Sequence, residues 1–213
     1  MCLLNRFGDP DWTAIGEAYA RGDRTYRELL TEENAMLEST REEMLAFVME
    51  HCPMDPTFAP FAGWLREREI PLTVVSDGSA FHIEPMLAAA GLTDIPVITN
   101  EFVFGPDERF AALAFPNAHP ECVGCGTCKM LAVTNAQAAA GRVAFIGDGV
   151  SDRFAALYAD VVFAKRELPA LCETAGVPYL PWTNFDDVRT SLESGELLAE
   201  APAPILCPGW TLP

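Results

Sequence analysis

The stretch Val143-Ala144-Phe145-Ile146-Gly147-Asp148-Gly149-Val150-Ser151-Asp152 decides how the chain folds. Four successive apolar residues read as a strand buried on both faces, because a strand with one wet face alternates apolar and polar positions. The strand stops at a tight Gly-Asp-Gly turn, and Ser151 to Ala159 reads as the helix that follows. The pattern repeats on both sides. Pro71 to Val75 is a β-branched run that ends at Ser76-Asp77-Gly78-Ser79, and a helical stretch from Phe81 to Ala90 follows, closed by Gly91. Pro96-Val97-Ile98-Thr99 is another strand. Phe102 to Phe104 and Ala111 to Phe115 flank Gly105-Pro106-Asp107 as a hairpin. Lys129 to Ala140 is helical, and Val161-Val162-Phe163 is again a strand. Apolar strands alternating with helices specify an α/β, Rossmann-like core whose parallel sheet is covered on both faces.

Residues 9–65 read differently, as helices with explicit start signals. Asp9-Pro10-Asp11 opens one ahead of Trp12, Ile15 and Tyr19, and Gly22 ends it. Thr25 with Glu28, and Thr40 with Glu43, each fit a capping box, in which hydroxyl and carboxylate satisfy orphan amides reciprocally. Asp55-Pro56 opens a helix with Phe58, Phe61 and Leu65 on one face. The expected organisation is a small helical cap domain at 9–65, an α/β core at 66–200 and an irregular, proline-rich tail at 201–213.

The chain has 213 residues, with 14 Lys and Arg against 31 Asp and Glu, a formal charge of −17. That surplus argues against nucleic acid and against anionic membrane surfaces, both of which are bound through cationic side chains. No uncharged apolar stretch approaches the length needed to span a bilayer. The start has no basic region leading into an apolar run, and seven Cys is an odd number, so the expectation is reduced thiols in the cytoplasm.

Ligands of open α/β sheets bind beyond the carboxyl ends of the strands, and two polar turns stand there. At the first, the Ser76 hydroxyl and the amides of Asp77 and Gly78 can face phosphate oxygens. At the second, Asp148 and Asp152 stand four residues apart, a carboxylate pair suited to Mg²⁺, which takes hard oxygen ligands and keeps part of its shell for water and phosphate. The plainer alternative is that Asp148 or Ser151 only caps a helix.

Taken together, these turns resemble those of the haloacid dehalogenase-like phosphatases. The strand ending in Ser76 is similar to their second motif, Lys129 to the third and Phe145 to Asp152 to the fourth. Val-Val-Ser-Asp-Gly at 74–78, Thr99-Asn100-Glu101 and Cys-Gly-Thr-Cys-Lys at 125–129 resemble the branch containing phosphoserine phosphatase and the phosphatase acting on 2-hydroxy-3-keto-5-methylthiopentenyl-1-phosphate. The resemblance implies a Mg²⁺-dependent hydrolase of a small phosphorylated metabolite. It casts Ser76 and Lys129 as phosphoryl-binding residues and Asp148 and Asp152 as metal ligands, with a helical cap inserted between the first and second motifs.

The family's first motif, Asp-x-Asp-Gly-Thr on the first core strand, supplies the nucleophile, and this chain has no counterpart. Asp9-Pro10-Asp11-Trp12-Thr13 imitates it in letters, yet proline offers no N–H to phosphate and the segment reads as a helix start. The resemblance therefore implies a missing first strand, through a start assigned too far downstream or through loss of the nucleophile. In the latter case the chain would be a catalytically silent binding or regulatory protein. As written it is expected to lack phosphatase activity.

His119, Cys122, Cys125 and Cys128 recur every three residues. They can be read as a tetrahedral zinc site or, in preference, as a loop of reduced thiols delivering Lys129. His82, Asn100 and Glu101 are further pocket candidates, the plainer readings being a partly exposed surface histidine and two residues that close a turn. Cys2, Cys52, Cys172 and Cys207 show no ligand spacing and read as core or incidental thiols.

Overall fold

A computed structural model describes residues 2–195 and Cys207. Of the tail expected at 201–213, all but Cys207 lies outside the described residues. In chain order the elements are α1 (Cys2–Phe7), α2 (Trp12–Ala20), α3 (Tyr26–Ala35), α4 (Arg41–His51), α5 (Phe58–Glu67), β1 (Val74–Ser79), α6 (Ala80–Ala89), β2 (Val97–Phe104), β3 (Phe110–Ala114), α7 (Lys129–Ala140), β4 (Ala144–Gly147), a 3-10 turn (Val150–Asp152), α8 (Arg153–Ala156), β5 (Val161–Ala164), α9 (Leu168–Ala175), β6 (Leu180–Pro181) and α10 (Phe185–Ser194).

Two compact units result. One comprises Met1–Met54 with Leu72–Thr127, the other Asp55–Pro71 with Cys128–Pro213. The helices of residues 9–65 are thus shared: α2 to α4 belong to the first unit and α5 to the second.

In the first unit the strand order is β1-β2-β3. β1 runs parallel to β2, whose second half turns back on β3 as the expected antiparallel hairpin. Both capping boxes form. Thr25 Oγ1 accepts from the Glu28 amide at 3.2 Å while Glu28 Oε2 accepts from the Thr25 amide at 2.7 Å, and Thr40 and Glu43 repeat the exchange. The core is built from Leu3, Leu4, Leu37, Met44 and Val48, with Phe81, Phe102 and Phe110 packed against them.

One expectation fails in this unit. Cys2, at the start of α1, and Cys52, the residue that caps α4, form a disulfide across 50 positions, with their Cα atoms 6.9 Å apart. The reading of both as incidental reduced thiols is corrected. Docking of α1 against α4 juxtaposes them, a contact that spacing along the chain does not express.

In the second unit β4-β5-β6 form an all-parallel sheet. All four residues of the central strand β5 are buried, as a strand covered on both faces requires. Val133, Ala155, Ala156, Leu168 and Cys172 build the core around it. The helix anticipated from Ser151 to Ala159 is instead the 3-10 turn followed by the four-residue α8, because the Asp152 side chain draws the turn back on itself through the Asp148 and Gly149 amides. The apolar run Val143 to Ile146 thus feeds a strand that is followed by a tight acidic turn.

Candidate functional site

Each unit carries one cluster of the anticipated residues at the carboxyl end of its terminal parallel strand. In the first unit, β1 and β2 stay in register to Val75 and Ile98 and meet again only at Ser79 and Asn100. Ser76, Asp77 and Gly78 therefore stand opposite Thr99 alone, in a bulge of the kind that re-aims side chains. The Gly78 amide donates to Ser76 Oγ at 3.0 Å.

Behind this bulge lies a neutral scaffold of Asn100 and Thr127, residues that motif reading named for the pocket and the Cys-Gly-Thr-Cys-Lys stretch but not as each other's partners. Asn100, fully buried, donates from Nδ2 to the Asp77 carbonyl at 2.9 Å. Thr127, also buried, donates its amide to Asp77 Oδ1 at 2.9 Å. The single Thr127 hydroxyl proton is shared between the Ser76 carbonyl at 2.9 Å and Asn100 Oδ1 at 3.2 Å. The Asp77 carboxylate is thus a structural anchor. Gly126 is required by proximity: a Cβ there would stand 2.8 Å from Leu30 Cδ1, 2.9 Å from Asn100 Nδ2 and 3.0 Å from Asp77 Oδ1. The one sequence signal for Thr127 is its place inside Cys-Gly-Thr-Cys-Lys.

His82 lies beside the same bulge. A Cβ placed on Gly78 would be 3.2 Å from Ser76 Oγ and 3.3 Å from His82 Nε2. His82 Nδ1 is buried without a hydrogen-bond partner, and burial pushes the imidazole pKa down to about 4. Glu101 is exposed on β2 and takes no part in the scaffold.

In the second unit, Lys129 opens α7 with its side chain only 8% exposed. Its Nζ donates to Asp152 Oδ1 at 2.7 Å and to Ser151 Oγ at 2.8 Å. The other Asp152 oxygen accepts the amides of Asp148 at 2.8 Å and Gly149 at 3.0 Å. Both Asp152 oxygens are therefore engaged by protein donors, and they clamp the acidic turn to the lysine. Gly147 makes the clamp possible, since a Cβ there would come within 2.8 Å of Asp152 Oδ2. Asp148 points outward, 42% exposed, and its Oδ2 pairs with Arg166 Nη1 at 3.0 Å. Behind the turn the Trp182 indole donates to the Gly147 carbonyl at 3.1 Å. Lys165 Nζ lies 3.4 Å from the centroid of that indole ring.

Among the described residues no group of three or more His, Cys, Asp or Glu is arranged to hold a metal ion. His119 Nδ1 accepts the Glu121 amide at 3.2 Å, and Cys122 Sγ accepts the Gly124 amide at 3.3 Å. At the acidic turn the donor set fits a cation that takes one protein carboxylate, Asp148, and leaves the rest of its shell to other oxygens. Asp9 and Asp11 stand in an exposed turn ahead of α2, where Asp9 Oδ1 accepts the Asp11 amide at 2.9 Å.

A mixed α/β fold, with a serine bulge after one parallel strand and a lysine-clamped acidic turn after another, defines the class of protein. Known proteins sharpen it. The family model for haloacid dehalogenase-like hydrolase matches residues 3–156. A 2-hydroxy-3-keto-5-methylthiopentenyl-1-phosphate phosphatase of Brevibacillus brevis is 30% identical over 196 residues, covering 91% of this chain and 87% of that protein. A phosphatase of the same name from Geobacillus thermodenitrificans is 28% identical over 206 residues, covering 93% and 90%. Among solved structures, a phospho-aspartyl intermediate analogue of phosphoserine phosphatase is similar with a TM-score of 0.64 at 17% identity, over 86% of this chain and 84% of that one. A phosphoserine phosphohydrolase-like protein from Francisella tularensis is similar with a TM-score of 0.62 at 20% identity, over 84% and 83%. These structural likenesses establish the fold. The chain belongs to the haloacid dehalogenase-like hydrolases, a family in which its relatives are phosphatases. Among the described residues no helix is long and apolar enough to cross a membrane.

Proposed function

We propose that the chain supplies the phosphate- and metal-handling groups of a Mg²⁺-dependent phosphatase that hydrolyses a small phosphorylated metabolite. The observation that carries this reading is the buried Lys129–Asp152 pair beside the outward carboxylate of Asp148. A buried lysine held by one carboxylate and one hydroxyl is fixed in place, and a fixed cation stabilises developing phosphoryl charge without reorganising. In this reading Ser76 Oγ, held by the Gly78 amide, and the Asp77 amide bind phosphoryl oxygens, and Lys129 neutralises them. Asp148 would hold Mg²⁺, which when bound supplies further charge neutralisation at the phosphate. Asp152 is assigned the task of orienting Lys129 and the Asp148 turn, since both its oxygens are occupied.

The sequence holds no Asp-x-Asp-Gly-Thr motif to supply an attacking carboxylate. We infer that a strand ending in Asp-x-Asp supplies it: the first Asp attacks phosphorus, the second protonates the departing alkoxide and then deprotonates the water that cleaves the acyl phosphate. β1 and β4 each stand at the end of their own three-stranded sheet. The first substrate to try is the one in the relatives' name, 2-hydroxy-3-keto-5-methylthiopentenyl-1-phosphate.

The test is a phosphate-release assay with Mg²⁺ on the chain as given and on a version extended by an apolar strand ending in Asp-x-Asp-Gly. Turnover only in the extended chain, abolished by Lys129→Met, is the expected result. Silence in both favours the binding or regulatory reading. Turnover by the short chain that disappears with Asp9→Asn would move the nucleophile to the turn ahead of α2.

A further inference from the structure

One residue of the helical segment grips the loop that precedes Lys129. Arg27, in the first turn of α3, donates Nε to the Cys125 carbonyl at 2.7 Å and Nη2 to the Cys122 carbonyl at 2.6 Å. Its own amide donates to the Gly124 carbonyl at 3.2 Å. The guanidinium lies 5.6 Å from the centroid of the Phe115 ring. A single residue thus occupies three carbonyls within four positions, a task suited to the planar guanidinium fork, which presents several donors in fixed directions. The next two residues of that loop are Gly126, pressed between Leu30 of the same helix and the Asn100–Asp77 pair, and Thr127, whose amide and hydroxyl hold Asp77 and Ser76. Contacts of this quality run without a break from α3 to the Ser76 bulge.

We propose that Arg27 is a positioning residue for phosphate binding: it sets the Cys122–Thr127 loop, and through Thr127 it sets the Ser76–Gly78 bulge that receives the phosphoryl oxygens. The inference rests on the phosphatase reading above and deepens it, because it makes a residue of the inserted helical segment part of what shapes the phosphate site. It also gives the cysteine-rich loop a role that requires no metal. The loop carbonyls are acceptors for Arg27, and the Cys122 and Cys125 thiols mark the two carbonyls that the fork holds.

The experiment uses the full chain and inorganic phosphate with Mg²⁺, titrated calorimetrically. Arg27→Met keeps most of the stem and removes the fork, so the dissociation constant for phosphate rises tenfold or more. Arg27→Lys, able to reach one carbonyl at a time, falls between wild type and Arg27→Met. Thr127→Val, which keeps shape and loses the hydroxyl, weakens phosphate to a similar degree. The double variant Arg27→Met with Thr127→Val is no weaker than the worse single variant, because both act along one chain of contacts. Maleimide labelling of Cys122 and Cys125 accelerates in Arg27→Met and Arg27→Lys, which reports release of the loop independently of phosphate.

Wild-type binding that survives Arg27→Met unchanged, or losses that add in the double variant, overturns the role of Arg27 and leaves the phosphatase reading standing. Absence of phosphate binding in the wild type removes the reading itself and this inference with it. If Arg27→Met fails to fold, Arg27→Lys, the Thr127→Val single variant and their combination decide between the same outcomes.

Discussion

The two clusters solve the same problem, holding oxygen-binding groups at the end of a parallel strand, by opposite physical means. In the first unit the Ser76 bulge rests on amides, a carbonyl network and two buried neutral side chains, Asn100 and Thr127, with the Asp77 carboxylate anchored among them. In the second unit the acidic turn rests on a desolvated ion pair. A neutral network costs little to bury once every donor and acceptor is paired, whereas a buried ion pair is tolerated only while both partners are present. The contrast therefore predicts unequal sensitivity to single substitutions.

The largest effect should come from Asp152→Ala. It leaves the Lys129 ammonium buried without its counter-charge and the Asp148 and Gly149 amides without an acceptor, at a cost of about 3–5 kcal/mol. Urea unfolding followed by fluorescence checks this, because Trp64 and Trp182 report on the second unit and Trp12 on the first. Adding Lys129→Met to Asp152→Ala should recover much of the loss, and a double variant as unstable as the single would show that the pair is not what the turn depends on. Next is the Cys2–Cys52 disulfide of the first unit. Reduction, or Cys2→Ser, reopens a loop of 50 residues, worth about 4 kcal/mol in the chain-entropy account. A melting temperature that does not respond to reductant would show that the first unit does not depend on this covalent closure.

His82 gives the first unit its own pH signature. Its pKa falls from 6.5 to about 4 on folding, chiefly through burial. The unfolded chain takes up a proton near pH 6.5 and the folded chain only near 4. The histidine's contribution to stability is thus whole above pH 6.5 and is lost as pH falls through that window. At about 1.4 kcal/mol per pKa unit the loss reaches as much as about 3 kcal/mol. The difference between His82→Phe and wild type, measured by urea midpoints from pH 7 to 4, should carry this slope, and a pH-independent difference would locate the acid sensitivity elsewhere. The smallest effect belongs to Arg166→Ala. The Asp148–Arg166 pair is formed by a side chain 75% exposed, so its loss should cost less than about 1 kcal/mol and vanish in high salt. A larger, salt-resistant loss would mean that the acidic turn depends on its outer pair as well as on Lys129.

Much of this was legible in the residues. The capping boxes at Thr25 and Thr40, the helix Lys129–Ala140, the hairpin around Gly105 and the apolar strands follow from signals that act within a few positions. Ser76, Lys129, Asp148 and Asp152 can be read together as candidates because their order and strand contexts resemble those of a known family. The partners of those residues were not. Asp152 reads as a second metal ligand by spacing, yet its oxygens are taken by Lys129, 23 positions away, and by the turn's own amides. Asn100 reads as a pocket or turn residue, yet it holds Asp77 from the neighbouring strand. β1 reads as ending at Val75, yet it runs to Ser79 through a bulge that depends on the register of β2.

By itself, then, the sequence determined many of the helices and strands, though not α1, α9, β6, α10 or the short α8, and which polar residues stand at strand ends, since local propensity, capping and hydrophobic period are properties of neighbouring residues. The tertiary structure alone decided that Cys2 meets Cys52, that Arg27 reaches carbonyls about a hundred positions ahead, and that Asp77 and Asp152 are anchors. A hydrogen bond or disulfide needs its two partners within a few ångströms and correctly aimed, and across such separations the packing of whole elements sets that geometry.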